Sequence, residues 1–297
     1  MQYTTIADGQ ASRWGVLRDE FVYLAPADPD WPASLLALIT AGGDAAAAYG
    51  QRLVEGAGER RRLGEVTLAA PLPRPPRNIM CLGLNYAEHA RESQQTKGQA
   101  VELPQHPVVF TKATSSVNGP FADIPLDATV TDQLDWEVEL AAVIGRGGRH
   151  IPAARAMEHV FGYTVINDIS ARDLQFRHKQ FFLGKSLDGG CPMGPVIVSA
   201  DSIPDPHDLA LWCDVNGERQ QSGHTSDQIF RIPETIARLS AVMTLEPGDI
   251  IATGTPAGVG FAQDPPRFLQ PGDVVECGVD GIGSLRNRIV SSPALRG

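Results

Sequence analysis

From Leu134 to Leu140 the chain alternates without a break: Leu134, Trp136, Val138 and Leu140 are apolar, and Asp135, Glu137 and Glu139 are acidic. A period of two predicts a strand that projects Glu137 and Glu139 from the same face. Phe161 to Asn167 is a second strand-like run, mostly apolar, which should be buried and which ends at Asp168. Asn216-Gly217 between Leu209–Val215 and Glu218–Gln221 predicts a hairpin with a type I′ turn. Pro247-Gly248 and Pro271-Gly272 each precede Asp and an apolar pair, which suits a type II turn launching a strand. The clearest helix opens at Pro233, with Ile236, Leu239 and Met243 on one face.

Before these segments the pattern differs. Pro32 marks a first helical turn, Leu35, Leu36 and Leu38 follow, and Gly42-Gly43 stops it. A second helix is expected from Asp44 through the alanine run to Leu53. Pro71-Leu72-Pro73-Arg74-Pro75-Pro76 fits neither helix nor central strand. It therefore divides a small N-terminal domain, residues 1–70, from a large domain, residues 75–297. The predicted class is α+β and predominantly β, with short helices as covers.

With 297 residues the chain can bury a full core. A formal net charge of -10 argues against nucleic acid or an anionic membrane as the main partner. No stretch approaches the roughly 18 apolar residues of a membrane span, and the first residues lack the basic and apolar regions of a signal peptide. Cys81, Cys191, Cys213 and Cys277 show no Cys-x-x-Cys spacing and are expected to be reduced, buried thiols of a cytoplasmic protein.

The acidic residues carry the chemistry. Two ionised carboxylates about 4 Å apart repel by roughly 4 kcal/mol at an effective dielectric near 20. Glu137 and Glu139 side by side in a core-forming segment therefore point to a cation, unless the strand merely has a solvated acidic face. Asp168 at the end of a buried run favours the cation, because buried Asp is uncommon unless paired or coordinating. Oxygen-only ligands suit Mg²⁺ or Mn²⁺ better than Ca²⁺ or zinc.

Three further segments are weaker taken singly. His89 and Glu92, three residues apart, share a helical face, so a carboxylate can orient the imidazole as a general base, although the same spacing also makes ordinary surface contacts. Lys185 lies among small and apolar residues, either snorkelling or aimed into a cleft. Thr253-Gly254-Thr255-Pro256 follows a strand; its amides and hydroxyls can hold a carboxylate, or it is a plain turn.

In their order along residues 75–290, these segments resemble the fumarylacetoacetate hydrolase family. The match comprises His89…Glu92, Trp136 to Leu140, Asn167-Asp168-Ile169-Ser170-Ala171-Arg172-Asp173-Leu174-Gln175, Gly184-Lys185-Ser186, Cys191-Pro192-Met193-Gly194-Pro195 and Thr253 to Pro256. The resemblance implies a mixed β-sandwich roll with short covering helices and a small N-terminal α/β domain, usually homodimeric. It implies Mg²⁺ or Mn²⁺ bound by Glu137, Glu139 and Asp168, with Ca²⁺ able to replace them in crystals. His89 and Glu92 would form a water-activating dyad and Lys185 would face substrate oxygens. Arg172, Gln175 and Thr255 would line or support the substrate site.

The implied activity is cleavage of the C–C bond of a 2,4-dioxo acid of the acylpyruvate type to pyruvate and a carboxylic acid. Oxaloacetate decarboxylation, 2-hydroxy-dienoate isomerisation and 2-oxo-enoate hydration remain as alternatives on the same scaffold, and a non-catalytic oxo-acid binder is the most distant one. The expected partners are a small oxo acid and a second copy of the chain. Two departures stand out: Leu84 occupies a position that is Arg in many acylpyruvate hydrolases, and Gly189-Gly190 replaces Thr-Phe, which should open the pocket wall. Residues 82–87 lack the extra Asp of the fumarylacetoacetase branch.

Overall fold

The computed structural model describes residues 1–9, 11–98 and 100–292. Among them the largest unit is a mixed, mostly antiparallel sheet of twelve strands. Its central path runs Gln2–Asp8, Cys191–Ser199, Val160–Asn167, Val138–Ile144, Ile250–Ala252, Ile79–Gly83 and Val108–Lys112. A five-stranded sheet, from Glu218–His224 to Ile124–Leu126, packs its buried residues into the same core as one face of the large sheet. The short helices lie outside these layers, as a predominantly β chain requires.

Local signals mark where elements begin and turn. Asn216 (φ 54°) and Gly217 (φ 80°) both adopt the left-handed conformation of a type I′ turn, and Val215 pairs with Glu218 across it. Gly248 and Gly272 have φ of 89° and 100°, as the third position of a type II turn demands, and the strands Ile250–Ala252 and Val274–Val279 follow. The helix opening at Pro233 spans Ile232–Val242 and buries Ile236 and Leu239. The two N-terminal helices are Leu35–Thr40, capped by the Ser34 hydroxyl, and Gly43–Arg52. All four cysteines are buried free thiols.

The sheet is continuous across the expected domain division. Gln2 pairs with Val198 and Tyr3 with Ile197, so the strands Gln2–Asp8, Ala11–Arg18, Phe21–Leu24 and Glu59–Arg62 extend the sheet of the large domain. The proline segment forms no regular element but is packed in: Leu72 is buried and the Thr5 hydroxyl donates to the Pro71 carbonyl at 2.8 Å. Among the described residues no helix is long and apolar enough to cross a membrane.

Candidate active site

The acidic face belongs to the interior. Every residue of Val138–Ile144 is buried, and Glu137, Glu139 and Asp168 are 5%, 1% and 0% exposed. A solvated acidic face is thereby excluded. Register explains why the three meet. Val138 pairs with Asn167 in the antiparallel ladder, so the next pair outward sets Asp168 opposite Glu137, and the Asp168 amide donates to the Glu137 carbonyl at 2.8 Å. Directly opposed residues share a face; the strand predicted over Leu134–Leu140 is interrupted at Trp136-Glu137, so Glu137 immediately precedes the strand that carries Glu139. One oxygen from each of the three carboxylates lies within 4.8 Å of the others.

Buried cations surround this trio. Lys185 Nζ lies 2.7 Å from Glu137 Oε2 and 2.8 Å from Asp168 Oδ2. Lys112 Nζ lies 2.7 Å from Asp168 Oδ1 and donates to the Ile169 carbonyl. Arg172 bridges Glu137 at 2.7 Å and Asp135 at 2.8 Å, and donates to Gln175 Oε1 at 2.9 Å. Burial disfavours the charged form of Glu137, but Lys185, Arg172 and His89 outweigh it and hold its carboxyl at about 2. Glu139 is different: burial, reinforced by Asp168 and Glu137, pushes its carboxyl well above the usual range. The opposing pull is smaller and comes from Lys185 and from the Gly254 amide, which donates to Oε2 at 2.7 Å.

The residues present fit a hard divalent cation. Asp168 Oδ1, Asn167 Nδ2 and Arg172 Nη2 are buried without a hydrogen-bond partner. The Lys112 ammonium reaches Asp168 Oδ1 in distance but not in hydrogen-bond direction. Unmatched buried polar atoms are rare in folded proteins, and one of these, Asp168 Oδ1, is an acceptor oxygen belonging to the carboxylate trio itself. An added positive charge among oxygen donors would relieve both the lone pair on Asp168 and the disfavoured charge on Glu139.

Backbone features place the remaining groups. His89 and Glu92 lie on the helix Ala87–Thr96, with His89 Nδ1 3.3 Å from Glu92 Oε2. The Gly258 amide donates to the same carboxylate at 3.0 Å, so the pair is tied to the loop after Thr255. Lys185 ends the short helix Phe182–Lys185, held close because Gly184 has no side chain: a Cβ there would meet the Gln175 amide nitrogen at 2.5 Å. The Thr255 hydroxyl accepts from Gln221 Nε2 at 2.8 Å.

One partly open pocket gathers His89, Glu137, Arg172, Gln175, Lys185 and Thr255 beside an apolar wall of Leu82, Leu84, Phe110, Phe181 and Phe261. Glu139, Asp168 and Glu92 stand behind this lining. The structure thus brings all nine expected residues to one place, though Lys185 points at carboxylates. Gly254 does hold a carboxylate, but that of Glu139. Gly189 and Gly190 do not open the pocket, since they pack against Pro125 and Leu187. Sequence reasoning missed Lys112, whose only signal is a lysine closing the apolar strand Val108–Lys112. It also left Asp135 without a role, although that carboxylate anchors Arg172 and accepts the amides of Gly260 and Phe261.

The fold agrees with the comparisons to known proteins. Residues 78–290 match the family model described as fumarylacetoacetate (FAA) hydrolase C-terminal, and the chain belongs to this family of enzymes. It is 50% identical over 266 residues to the oxaloacetate tautomerase YisK of Bacillus subtilis, covering 87% of each chain. It is 46% identical over 228 residues to the mitochondrial oxaloacetate tautomerase FAHD2A of Homo sapiens, covering 76% of this chain and 70% of that one. Among solved structures, the fumarylacetoacetate hydrolase of Exiguobacterium antarcticum superposes with a TM-score of 0.84 at 42% identity, over 98% of this chain and all of that one. The maleylpyruvate hydrolase of Sphingobium sp. SYK-6, in complex with manganese(II) and pyruvate, superposes with a TM-score of 0.79 at 30% identity, over 99% and 100% of the two chains.

Proposed function

We propose that this protein is a divalent-metal-dependent enzyme that interconverts the keto and enol forms of a short 2-oxo acid of the oxaloacetate type. The observation that carries the reading is the convergence, in and behind one pocket, of a buried carboxylate trio, three buried cations and a carboxylate-held histidine. Tautomerase relatives at 50% and 46% identity favour proton transfer over C–C hydrolysis as the main activity. Mg²⁺ or Mn²⁺ held by Glu137, Glu139 and Asp168 would supply Lewis acidity toward the oxygens of the substrate.

The side chains divide the remaining work. Glu92 keeps the proton of His89 on Nδ1, which leaves Nε2 free to accept another. His89 Nε2 takes the proton from the carbon next to the keto group, and the bonding pair moves toward the keto oxygen. The partnerless Arg172 Nη2 and the Lys185 ammonium offset the charge developing there. The imidazolium then gives that proton to the keto oxygen, which completes the enol and returns His89 to its neutral form, and the reverse direction runs the same two transfers backwards. Gln175 and Thr255 line the cavity, with Gln175 also bracing Arg172. A second reading, hydrolysis of an acylpyruvate, is favoured by the same dyad, because a histidine fixed by Glu92 and the Gly258 amide also suits the activation of water.

The test is an oxaloacetate assay that follows the ultraviolet absorbance of the enol with Mg²⁺, with Mn²⁺ and in EDTA, alongside pyruvate and CO₂ release. Metal-dependent acceleration of enol decay without pyruvate is expected. Pyruvate with CO₂ would make the protein a decarboxylase, and pyruvate from acylpyruvates without CO₂ a hydrolase. No metal-dependent turnover of any oxo acid would overturn the reading.

A further inference from the structure

Within the pocket, Lys97 is the cation that the chemistry above leaves unused. It caps the C-terminal end of the helix that carries His89 and lines the same cavity. Arg172 and Lys185 are bound to Asp135, Glu137 and Asp168, whereas Lys97 has no ion-pair partner among the described residues. Its Nζ sits 4.4 Å from the ring centroid of Phe176 and 5.8 Å from that of Phe261, and the guanidinium of Arg172 lies 4.5 Å from the Phe261 centroid. Phe261 therefore carries a cation from the metal side of the pocket and a cation from its rim. Aromatic faces steady an ammonium without neutralising it.

We propose that Lys97 is a specificity-determining residue, which binds a second, distal carboxylate and so selects 2-oxo diacids over 2-oxo monoacids. The inference rests on the reading of this pocket as an oxo-acid site. The substrate's 2-oxo carboxylate end belongs with the buried carboxylates and their cations, so its tail points outward past Phe261. Nearby wall positions such as Leu84 and Phe181 are apolar and offer a charged tail nothing. A charge-assisted hydrogen bond at the rim favours the dianion by about ten- to a hundredfold.

Two measurements on the full-length chain with Mn²⁺ test this. The first compares kcat/KM for oxaloacetate with that for its 4-methyl ester, whose tail is uncharged. Preference for the diacid should fall at least tenfold in Lys97→Met and return to within about threefold in Lys97→Arg. The second is titration calorimetry with two unreactive ligands, malate and lactate, in which Lys97→Met should erase the advantage of malate. Unchanged selectivity, or an equal loss for both members of each pair, would overturn the role and leave Lys97 as packing for Phe176. If the wild type turns over neither substrate, the proposed activity fails by itself, and the calorimetry still decides on Lys97.

Discussion

Replacing Lys112 with Met isolates a buried cation that touches Asp168 without lining the pocket. At 2.7 Å and an effective dielectric near 20, the attraction between Lys112 and Asp168 is roughly 6 kcal/mol before desolvation. Removing one partner of a buried pair costs about 3–5 kcal/mol, because the other charge is left uncompensated. Lys185 still lies 2.8 Å from Asp168, which argues for the lower end, about 3 kcal/mol. An unfolding entropy of about 2.1 cal/mol/K per residue, taken over 297 residues, converts this to a fall of about 5 °C in Tm. Calorimetry of Lys112→Met in EDTA should show that fall, and millimolar Mg²⁺ should restore the variant by at least as much as it raises the wild type, since one competing cation is gone. A double-mutant cycle with Asp168→Asn in EDTA separates the pair from the hydrogen bond to Ile169. A fall below about 1.5 °C, or no coupling in the cycle, would refute the account of the trio as a site held together by buried cations.

His89→Ala should lower turnover of the accepted oxo acid by about 10²-fold or more while the rise in Tm on adding Mn²⁺ stays as in the wild type; full turnover in the variant would remove His89 from the chemistry. For Glu139, whose carboxyl burial and neighbouring carboxylates hold well above its usual range, the metal-free fold binds a proton that the unfolded chain releases. Stability in EDTA should therefore decline as pH rises above the ordinary carboxylate range. Glu139→Gln should flatten that decline and abolish the Mg²⁺-induced shift in Tm, and a full shift in the variant would exclude Glu139 as a ligand. His207 should act in the opposite sense: burial lowers its pKa from 6.5, and its Nε2 accepts the Ile232 amide at the start of a helix. The unfolded chain is protonated first, so its contribution is complete above pH 6.5 and is lost below it, by at most about 1.4 kcal/mol per pH unit. Denaturant melts of His207→Asn between pH 7 and 5 should show a shallower slope than the wild type, and an equal slope would refute the assignment.

What the chain states locally was legible from its residues. Asn216-Gly217, the two Pro-Gly turns and the helix from Ile232 depend on conformational preferences within a few positions, and each formed where its residues required. Burial of an acidic face is not of that kind. The alternation from Leu134 to Leu140 fits a solvated strand as well as a buried one, because period fixes the face and not what covers it. Only the pairing of Val138 with Asn167 and the covering helix that ends at Lys185 decide the matter. The same holds for the N-terminal strands: composition marks them off, while the pairing of Tyr3 with Ile197, nearly two hundred residues apart, has no local signature.

Lys112 shows how far such distant pairing reaches into the chemistry. Among the described residues its strand is joined to the rest of the sheet only through Ile79–Gly83, which in turn pairs in parallel with Ile250–Ala252. Four registers must therefore hold before the ammonium stands beside Asp168, just past the end of the fourth strand along. A lysine at the end of Val-Val-Phe-Thr-Lys looks like an ordinary strand terminus, and nothing within the segment distinguishes it from one reaching into solvent. The carboxylates were easier to find because two of them stand two residues apart in the sequence, Glu139 within the strand Val138–Ile144 and Glu137 just before it, and advertise their own repulsion. The cations that offset them come from Val108–Lys112, Arg172–Arg177 and Phe182–Lys185. A buried site of mixed charge is thus half visible in a sequence: the repulsion is local, and its compensation is assembled by the fold.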